Sequence, residues 1–181
     1  IADYILVKQG GKINAVGTPD KPIVMTSEKE EPGAWGGIHI CGRAHTNAEG
    51  GKGSSEIGGA VYGGNDDADN SGTLQYIRLE YTGFAFDEEH EANGISFYGV
   101  GNGTIVDHCQ AYKGSDDGFE FFGGSVNVSN LVAVSCSDDS FDWTEGWNGK
   151  GTNLVAYQEA ESTLGYDCDC LIEADNNEND N

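Results

Sequence analysis

Two similar heptapeptides carry adjacent aspartates that could bind a cation or act as general acids and bases. Residues 115–121 read SDDGFEF and residues 137–143 read SDDSFDW, an offset of 22 residues. A period of this length indicates structural units that stack on their neighbours. The carboxylates predicted to stack in this way are Asp116, Asp117, Asp138 and Asp139.

The repeat extends to the segments that precede the heptapeptides. Residues 108–112 and 130–134 each begin seven residues before an SDD motif, and 153–157 and the looser 76–80 continue the series. In 76–80, apolar and polar side chains alternate as in a half-buried strand. Stacking the copies predicts an inward column of Ile77, Cys109, Leu131 and Leu154.

A second strand in each unit is predicted from alternating aromatic and aliphatic residues. The inward pairs are Ile95 with Phe97, Phe119 with Phe121, and Phe141 with Trp143, whereas Ser96, Glu120 and Asp142 face outward. A unit of 22–24 residues with short strands buries its apolar face only by coiling against the next unit, which predicts an all-β parallel β-helix. An antiparallel β-sandwich is the alternative, but it does not explain why the copies agree in register.

One coil contains about eight extra residues, and they fall in the acidic segment 84–93. Insertions in repeat folds project as loops from one face, often the binding face. This loop leaves the corner that carries the Asp-Asp pairs.

Calcium accepts six to eight hard oxygen ligands in flexible geometry. The predicted calcium ligands are therefore Asp116, Asp117, Asp138 and Asp139 together with Asp87 and Glu89 of the insertion. The alternative is a solvated corner in which aspartates hydrogen-bond the turns.

A second acidic loop, Asn65 to Gly72, carries Asp66, Asp67 and Asp69. Its start resembles a calcium-binding loop, but the spacing matches neither the EF-hand nor the glycine-rich nonapeptide repeat. A calcium loop of another kind and an ordinary turn both remain open here.

Some aromatic residues fall outside the inward columns and could stack on sugar rings. The candidates for ligand binding are Tyr112, Phe122 and Trp147. His39 lies between two isoleucines of a strand and is expected on the exposed outer face.

Composition excludes some functions. The formal net charge is −22, with 31 acidic and 9 basic residues. Nucleic-acid binding depends on basic residues that neutralise phosphates, so no nucleic-acid partner is expected. The sequence shows no transmembrane run, which predicts no direct membrane span. The whole chain, 1–181, is predicted to form one β-helix domain.

Three motifs occur in the order found in one bacterial family: WGGIHICG at 35–42, GGNDDADNSG at 63–72 and GSDDGFEFFGG at 114–124. The chain resembles secreted or lipid-anchored surface proteins of Bacteroidetes with a right-handed parallel β-helix of pectin-lyase-like type. The resemblance implies an extracellular location at the bacterial outer surface. Because neither end carries a solenoid cap, we also expect this chain to be a fragment, in contact with the rest of its polypeptide at both ends.

These observations favour a non-catalytic, calcium-stabilised surface module that binds a glycan or a protein. A divergent polysaccharide hydrolase or lyase is a second hypothesis, with Asp116, Asp117, Asp138 and Asp139 as catalytic carboxylates. Against it, the chain lacks the Gly-His-Gly and Arg-x-Lys motifs of polygalacturonases. A structural spacer is the third hypothesis.

Overall fold

The computed structural model describes residues 3–87 and 90–176. These residues form sixteen short strands, with one α-helix (α1, Glu161–Leu164) and one 3-10 turn at Glu49–Gly51. The strands are β1 (Ile5–Val7), β2 (Ile13–Val16), β3 (Ile23–Met25), β4 (Ile38–Cys41), β5 (Gly53–Ser54), β6 (Val61–Tyr62), β7 (Gly72–Glu80), β8 (Ile95–Tyr98), β9 (Ile105–Tyr112), β10 (Phe119–Phe122), β11 (Asn127–Ser129), β12 (Val132–Val134), β13 (Phe141–Thr144), β14 (Gly151–Thr152), β15 (Val155–Tyr157) and β16 (Glu173–Ala174).

The strands pair in parallel, coil after coil. One sheet has the order β1-β4-β8-β10-β13-β16 and a larger one joins β2, β3, β7, β9, β11, β12, β14 and β15. The chain alternates between these two sheets, so each turn places a strand beside its equivalent in the previous turn. The fold is a right-handed parallel β-helix, as the sequence period predicted, rather than a β-sandwich.

The predicted inward columns are confirmed by the strand register. Phe119 pairs with Ile95 and with Phe141, and Ile77 pairs with Cys109. All five residues are 1 % exposed or less and belong to one core cluster. The Phe119 and Phe141 rings stack with centroids 5.6 Å apart. The aromatic repeat in the sequence is therefore a packing column in the core.

One corner of the coil is a ladder of residues with left-handed backbone. Tyr76, His108, Asn130 and Asn153 occupy equivalent positions with φ between 51° and 54°. Asparagine tolerates this conformation better than most residues. The Asn153 side chain donates to Asn130 Oδ1 (3.0 Å), and Asn130 Nδ2 donates to Asp107 Oδ1 (2.8 Å). The ladder thus ties three successive coils together.

An unpredicted insertion covers the outer face of the smaller sheet. Between β4 and β7 the chain forms the antiparallel hairpin β5–β6. Ala60 and Tyr62 of this hairpin pack against Cys41, Tyr98 and Phe122, which face away from the main core. The outer face of this sheet is therefore partly buried.

The expectation that His39 is exposed was wrong. His39 is 0 % exposed, since its ring packs between Tyr4 and Tyr98 on the outer face of β4. Its Nε2 lies 2.7 Å from Gly36 O. Burial lowers the pKa of His39 to about 4, so the imidazole is neutral at physiological pH.

We predict that Asn130→Ala lowers the free energy of unfolding by about 2–3 kcal/mol, since it removes two hydrogen bonds and puts alanine in a left-handed conformation. Chemical denaturation measures the loss. Asn130→Gly should lose less because glycine restores the backbone freedom. Asn153→Ala, at a more exposed ladder position that makes one of these two hydrogen bonds, should lose less than Asn130→Ala. An unchanged stability of Asn130→Ala would contradict the ladder's role.

Candidate functional site

A single outward column runs along the smaller sheet and becomes acidic towards its C-terminal strands. Register places in this column Leu6, His39, Ser96, Glu120, Asp142 and Glu173, in that order. Neighbouring strands lie about 4.8 Å apart. The last three carboxylates therefore stand side by side on three successive coils.

These carboxylates line an open cleft of about 230 Å³. In the described part of the chain, every lining side chain is acidic: Glu56, Glu91, Asp116, Asp117, Glu120, Asp138, Asp142 and Glu173. Four different elements supply them. The outward column gives three, the SDD corners give Asp116, Asp117 and Asp138, the 84–93 loop gives Glu91, and the loop between β5 and β6 gives Glu56.

The second aspartate of each SDD motif has a structural task as well. Asp117 Oδ1 accepts the Asp139 backbone N–H (2.9 Å), and Asp139 Oδ1 accepts that of Cys170 (2.8 Å). Each side chain thus holds the corner of the following coil, as aspartates in turns commonly do. A carboxylate has two oxygens, so the second oxygen of each remains available to a ligand.

Burial and crowding raise the pKa values of the corner carboxylates. Desolvation first, and then the charges of Glu91, Asp138 and Glu56, raise the pKa of Asp116 to about 8. Desolvation and the neighbouring Asp116 likewise raise the pKa of Asp117 well above its usual range. Two like charges about 4.8 Å apart repel by roughly 3 kcal/mol at an effective dielectric of about 20. Protonation or a bound cation would relieve this repulsion.

The outward column shows the same effect. Burial, with the charge of Asp117 next, raises the pKa of Glu120 well above its usual range. Desolvation raises the pKa of Asp142 to about 6, and a hydrogen bond with Asp139 is the main reason that the pKa of Glu173 rises to about 7. Carboxyl groups with such shifts gather at functional sites more often than elsewhere.

The ligand atoms are close enough together to share an ion. Among the described residues, three sets that consist of carboxylates alone place one oxygen from each member within 4.8 Å of one another. They are Asp116, Asp117 and Asp138; Asp117, Glu120 and Asp142; and Asp139, Asp142 and Glu173. Such oxygen-only sets suit calcium.

The structure brings together most of the corner residues that the sequence singled out. Asp116, Asp117 and Asp138 form one set, while Asp139 joins Asp142 and Glu173. Asp87 instead interacts with His90 Nδ1 (2.6 Å), and among the described residues of the insertion Glu91 lines the cleft. Glu89 lies outside the described residues.

Sequence reasoning missed several members of the site. The alternation at 119–121 and 141–143 placed Glu120 and Asp142 on the outer face, which was the available signal, but not in a cleft. Glu173 lies after an irregular segment, so its column could not be recognised. Glu56 comes from a hairpin that has no counterpart in the other coils of the described chain, so no repeat indicated its position.

The second acidic loop does not gather its carboxylates around one point. Asp66 Oδ1 accepts the Ala68 N–H (3.2 Å), as in an ordinary Asx turn. Asp67 Oδ1 lies 2.9 Å from His45 Nδ1. Asp69 pairs with Arg43 at 3.7 Å. No metal set with ligand atoms within 4.8 Å includes these aspartates in the described chain, and calcium at this loop stays a prediction.

The three aromatic candidates lie in different places. Phe122 is 9 % exposed and stacks on Tyr98 with ring centroids 4.3 Å apart. Trp147 stacks on Phe121 and donates its indole N–H to Val126 O (3.1 Å). Tyr112 lies on the larger sheet, beside Arg78 and Lys113. The structure therefore does not bring them together into a shared platform.

We predict that, in chelator, thermal stability falls as pH rises from 6.5 to 8.5. Asp116, with a folded pKa of about 8, binds more protons in the folded than in the unfolded state, so deprotonation favours unfolding. Asp116→Asn should reduce this slope in thermal melts, while the other cleft carboxylates with raised pKa values retain part of it. Asp20→Asn, which changes an exposed carboxylate that does not line the cleft, should keep it. A wild-type slope that Asp116→Asn leaves intact would refute this electrostatic description.

Comparison with known proteins agrees with the fold. Searches of curated proteins and of solved structures found no match. Within the described residues, no helix has the length and hydrophobicity that crossing a membrane requires. The family model described as a pectate-lyase like beta helix domain matches residues 1–181. The chain therefore belongs to the family of pectate-lyase-like β-helix domains.

Proposed function

We propose that this domain is a non-catalytic β-helix module that binds calcium in the acidic cleft and, through it, a glycan or protein ligand. The observation that carries the proposal is that eight carboxylates converge on one cleft with no basic side chain among the described residues that line it. Repulsion inside the cleft is relieved either by protonation or by a bound cation.

The donor set favours calcium over other common ions. Each of the described lining residues is Asp or Glu, whereas zinc sites in proteins use histidine and cysteine far more. Magnesium demands near-ideal octahedral geometry and retains most of its waters. Calcium accepts many carboxylate oxygens in irregular geometry, which matches ligands supplied by four different structural elements.

A ligand with its own oxygens would suit such a site. Calcium accepts six to eight oxygens, and an open cleft leaves one side of a bound ion accessible. Hydroxyl or carboxylate groups of a glycan, or an acidic side chain of a protein, would complete the coordination. We also propose, from the resemblance, that the domain works at the bacterial outer surface, where modules bind calcium with Kd values of about 10⁻⁴–10⁻³ M.

We predict that calcium raises the melting temperature by about 5–10 °C at a concentration about a hundredfold above its Kd, since that occupancy adds roughly 2.7 kcal/mol. Thermal melts in calcium and in chelator at pH 7.5 measure the shift. Asp117→Asn, which retains an oxygen to accept the Asp139 N–H, should reduce it strongly.

Asp66→Asn tests the second acidic loop in the same assay and should keep the full shift if the cleft holds the ion. Equal melting temperatures in calcium and chelator would refute the calcium proposal and leave a structural spacer. A glycan array with calcium and with chelator separates a calcium-dependent binder from a spacer.

One observation favours an enzyme as the second candidate. The Asp116 carboxyl, with its pKa of about 8, is protonated at neutral pH in the absence of metal, as a glycosidase general acid must be. Against a lyase, Arg43 interacts with Asp69 and Arg78 with Glu80, and neither arginine lines the cleft. Turnover on a polysaccharide panel, abolished by Asp116→Asn or Asp138→Asn, would establish the enzyme.

A further inference from the structure

The sequence contains pairs in which glycine follows asparagine, and the structure places them in very different surroundings. The pairs are Asn93-Gly94, Asn102-Gly103 and Asn148-Gly149. Asparagine is a chemically labile residue. A following glycine increases that lability, because it lacks the Cβ that would hinder attack by its backbone nitrogen on the asparagine side chain. By sequence alone the pairs are equivalent, so any difference between them has to come from the fold.

The first two pairs are protected by hydrogen bonds. Asn93 is 1 % exposed, and the N–H of the glycine after it donates to Asp117 O (2.9 Å). Asn102 is exposed, but the N–H of its glycine donates to Asp69 O (3.2 Å). A backbone nitrogen in a hydrogen bond has to lose that bond before it can act as a nucleophile. Both pairs therefore react only after local opening of the fold.

The third pair has neither form of protection. Asn148 is exposed in the irregular connection between β13 and β14. Within residues 3–87 and 90–176, its side-chain amide makes no hydrogen bond, and the Gly149 N–H donates to no acceptor. The backbone N–H of Asn148 itself donates to Gly124 O (3.0 Å). The two groups that would react with each other thus have no competing partner.

The fold requires the glycine of this third pair. A Cβ at position 149 would lie 1.9 Å from Val126 O and 2.6 Å from Trp147 Nε1. The Trp147 indole donates its N–H to the same carbonyl oxygen (3.1 Å), so neither group can move away without breaking that bond. No larger side chain fits beside them. The packing of this corner therefore demands the residue that makes Asn148 reactive.

We propose that Asn148 is a site of spontaneous deamidation, which converts it into aspartate or isoaspartate. The deprotonated Gly149 nitrogen forms a bond to Asn148 Cγ, the bond between Cγ and the side-chain nitrogen breaks, and ammonia leaves. The product is a cyclic succinimide. Water then opens the ring, at Cγ to give aspartate or at the main-chain carbonyl to give isoaspartate. Hydroxide and water are the co-reactants, and no oxidation or reduction takes place.

The two products change this corner in different ways. Aspartate adds a negative charge to a chain whose net charge is already −22. Isoaspartate also adds one carbon to the backbone between two hydrogen bonds, from Asn148 N to Gly124 O (3.0 Å) and from Val128 N to Lys150 O (2.9 Å). The extra carbon shifts one of these bonds against the other, so we expect the isoaspartyl form to melt at a lower temperature. This inference is independent of calcium binding in the cleft.

Peptide mapping by mass spectrometry, on the full chain stored in mildly alkaline buffer, measures deamidation at each pair. We expect the reaction at Asn148 to be at least about fivefold faster than at Asn102, where a hydrogen bond has to break first. Asn93 should react most slowly, because it is also buried. Chromatography separates the isoaspartyl form from the unmodified chain, and thermal melts compare the two.

Two controls isolate the contribution of the fold. Asn148→Gln should abolish the reaction at this position, because the longer side chain closes a ring far less readily, and circular dichroism should show an unchanged fold. The same peptide mapping on the chain unfolded in urea removes the hydrogen bonds and the burial. The rates at Asn93, Asn102 and Asn148 should then converge.

Three results would overturn the inference. The first is a folded chain in which Asn148 and Asn102 react at the same rate. The second is a folded chain that yields no product at Asn148 while Asn102 reacts. The third is a preference for Asn148 that persists undiminished in urea, since the local sequence rather than the fold would then set the rate.

Discussion

In-register parallel pairing is the constraint on which the rest of this structure depends. Each strand lies about 4.8 Å from its equivalent in the next coil, so whatever recurs in the sequence recurs at that spacing in the structure. Inside the coil, the repetition of aromatic residues stabilises the fold, because Phe97 stacks on Phe121 with ring centroids 4.9 Å apart. At one corner, in-register pairing allows Asn153 and Asn130 to hydrogen-bond. On the outer face, in-register pairing brings like charges together, and their repulsion lowers the stability of the fold.

Charge repulsion in the acidic cleft therefore lowers stability locally, and the remainder of the fold compensates for it. A core cluster of stacked aliphatic and aromatic residues and continuous backbone pairing hold the coils in place, whatever the charge on the outer column. Proteins commonly break rules of local stability where they bind ligands. Asp117 shows both sides of this balance, since one oxygen holds the Asp139 corner while burial and neighbouring charge disfavour its ionised form.

The sequence predicted what repeats, and it could not predict what occurs once. Period and alternation were sufficient to align Phe119 with Phe141 and Ile77 with Cys109, and to place Asp116 over Asp138. Glu56 escaped because its position depends on the β5–β6 hairpin, which packs against Tyr98 and Phe122 through contacts distant in sequence. His39 was misjudged for the same reason: alternation gives the face of a strand, but not whether another segment covers it. Here Tyr4 and Tyr98 do so.

The pairing of β16 has a mechanical consequence. This strand is joined to β13 by only two residue pairs, Asp142 with Glu173 and Trp143 with Ala174, whereas β10 and β13 share four. A tensile load transmitted along the chain from its C-terminal side would peel β16 away before the longer strands. Asp142 and Glu173 are neighbours across the pairing of β13 and β16. A divalent ion bound between their carboxylates would therefore hold the two strands together. The resistance of the module to pulling would then vary with the calcium concentration of its surroundings.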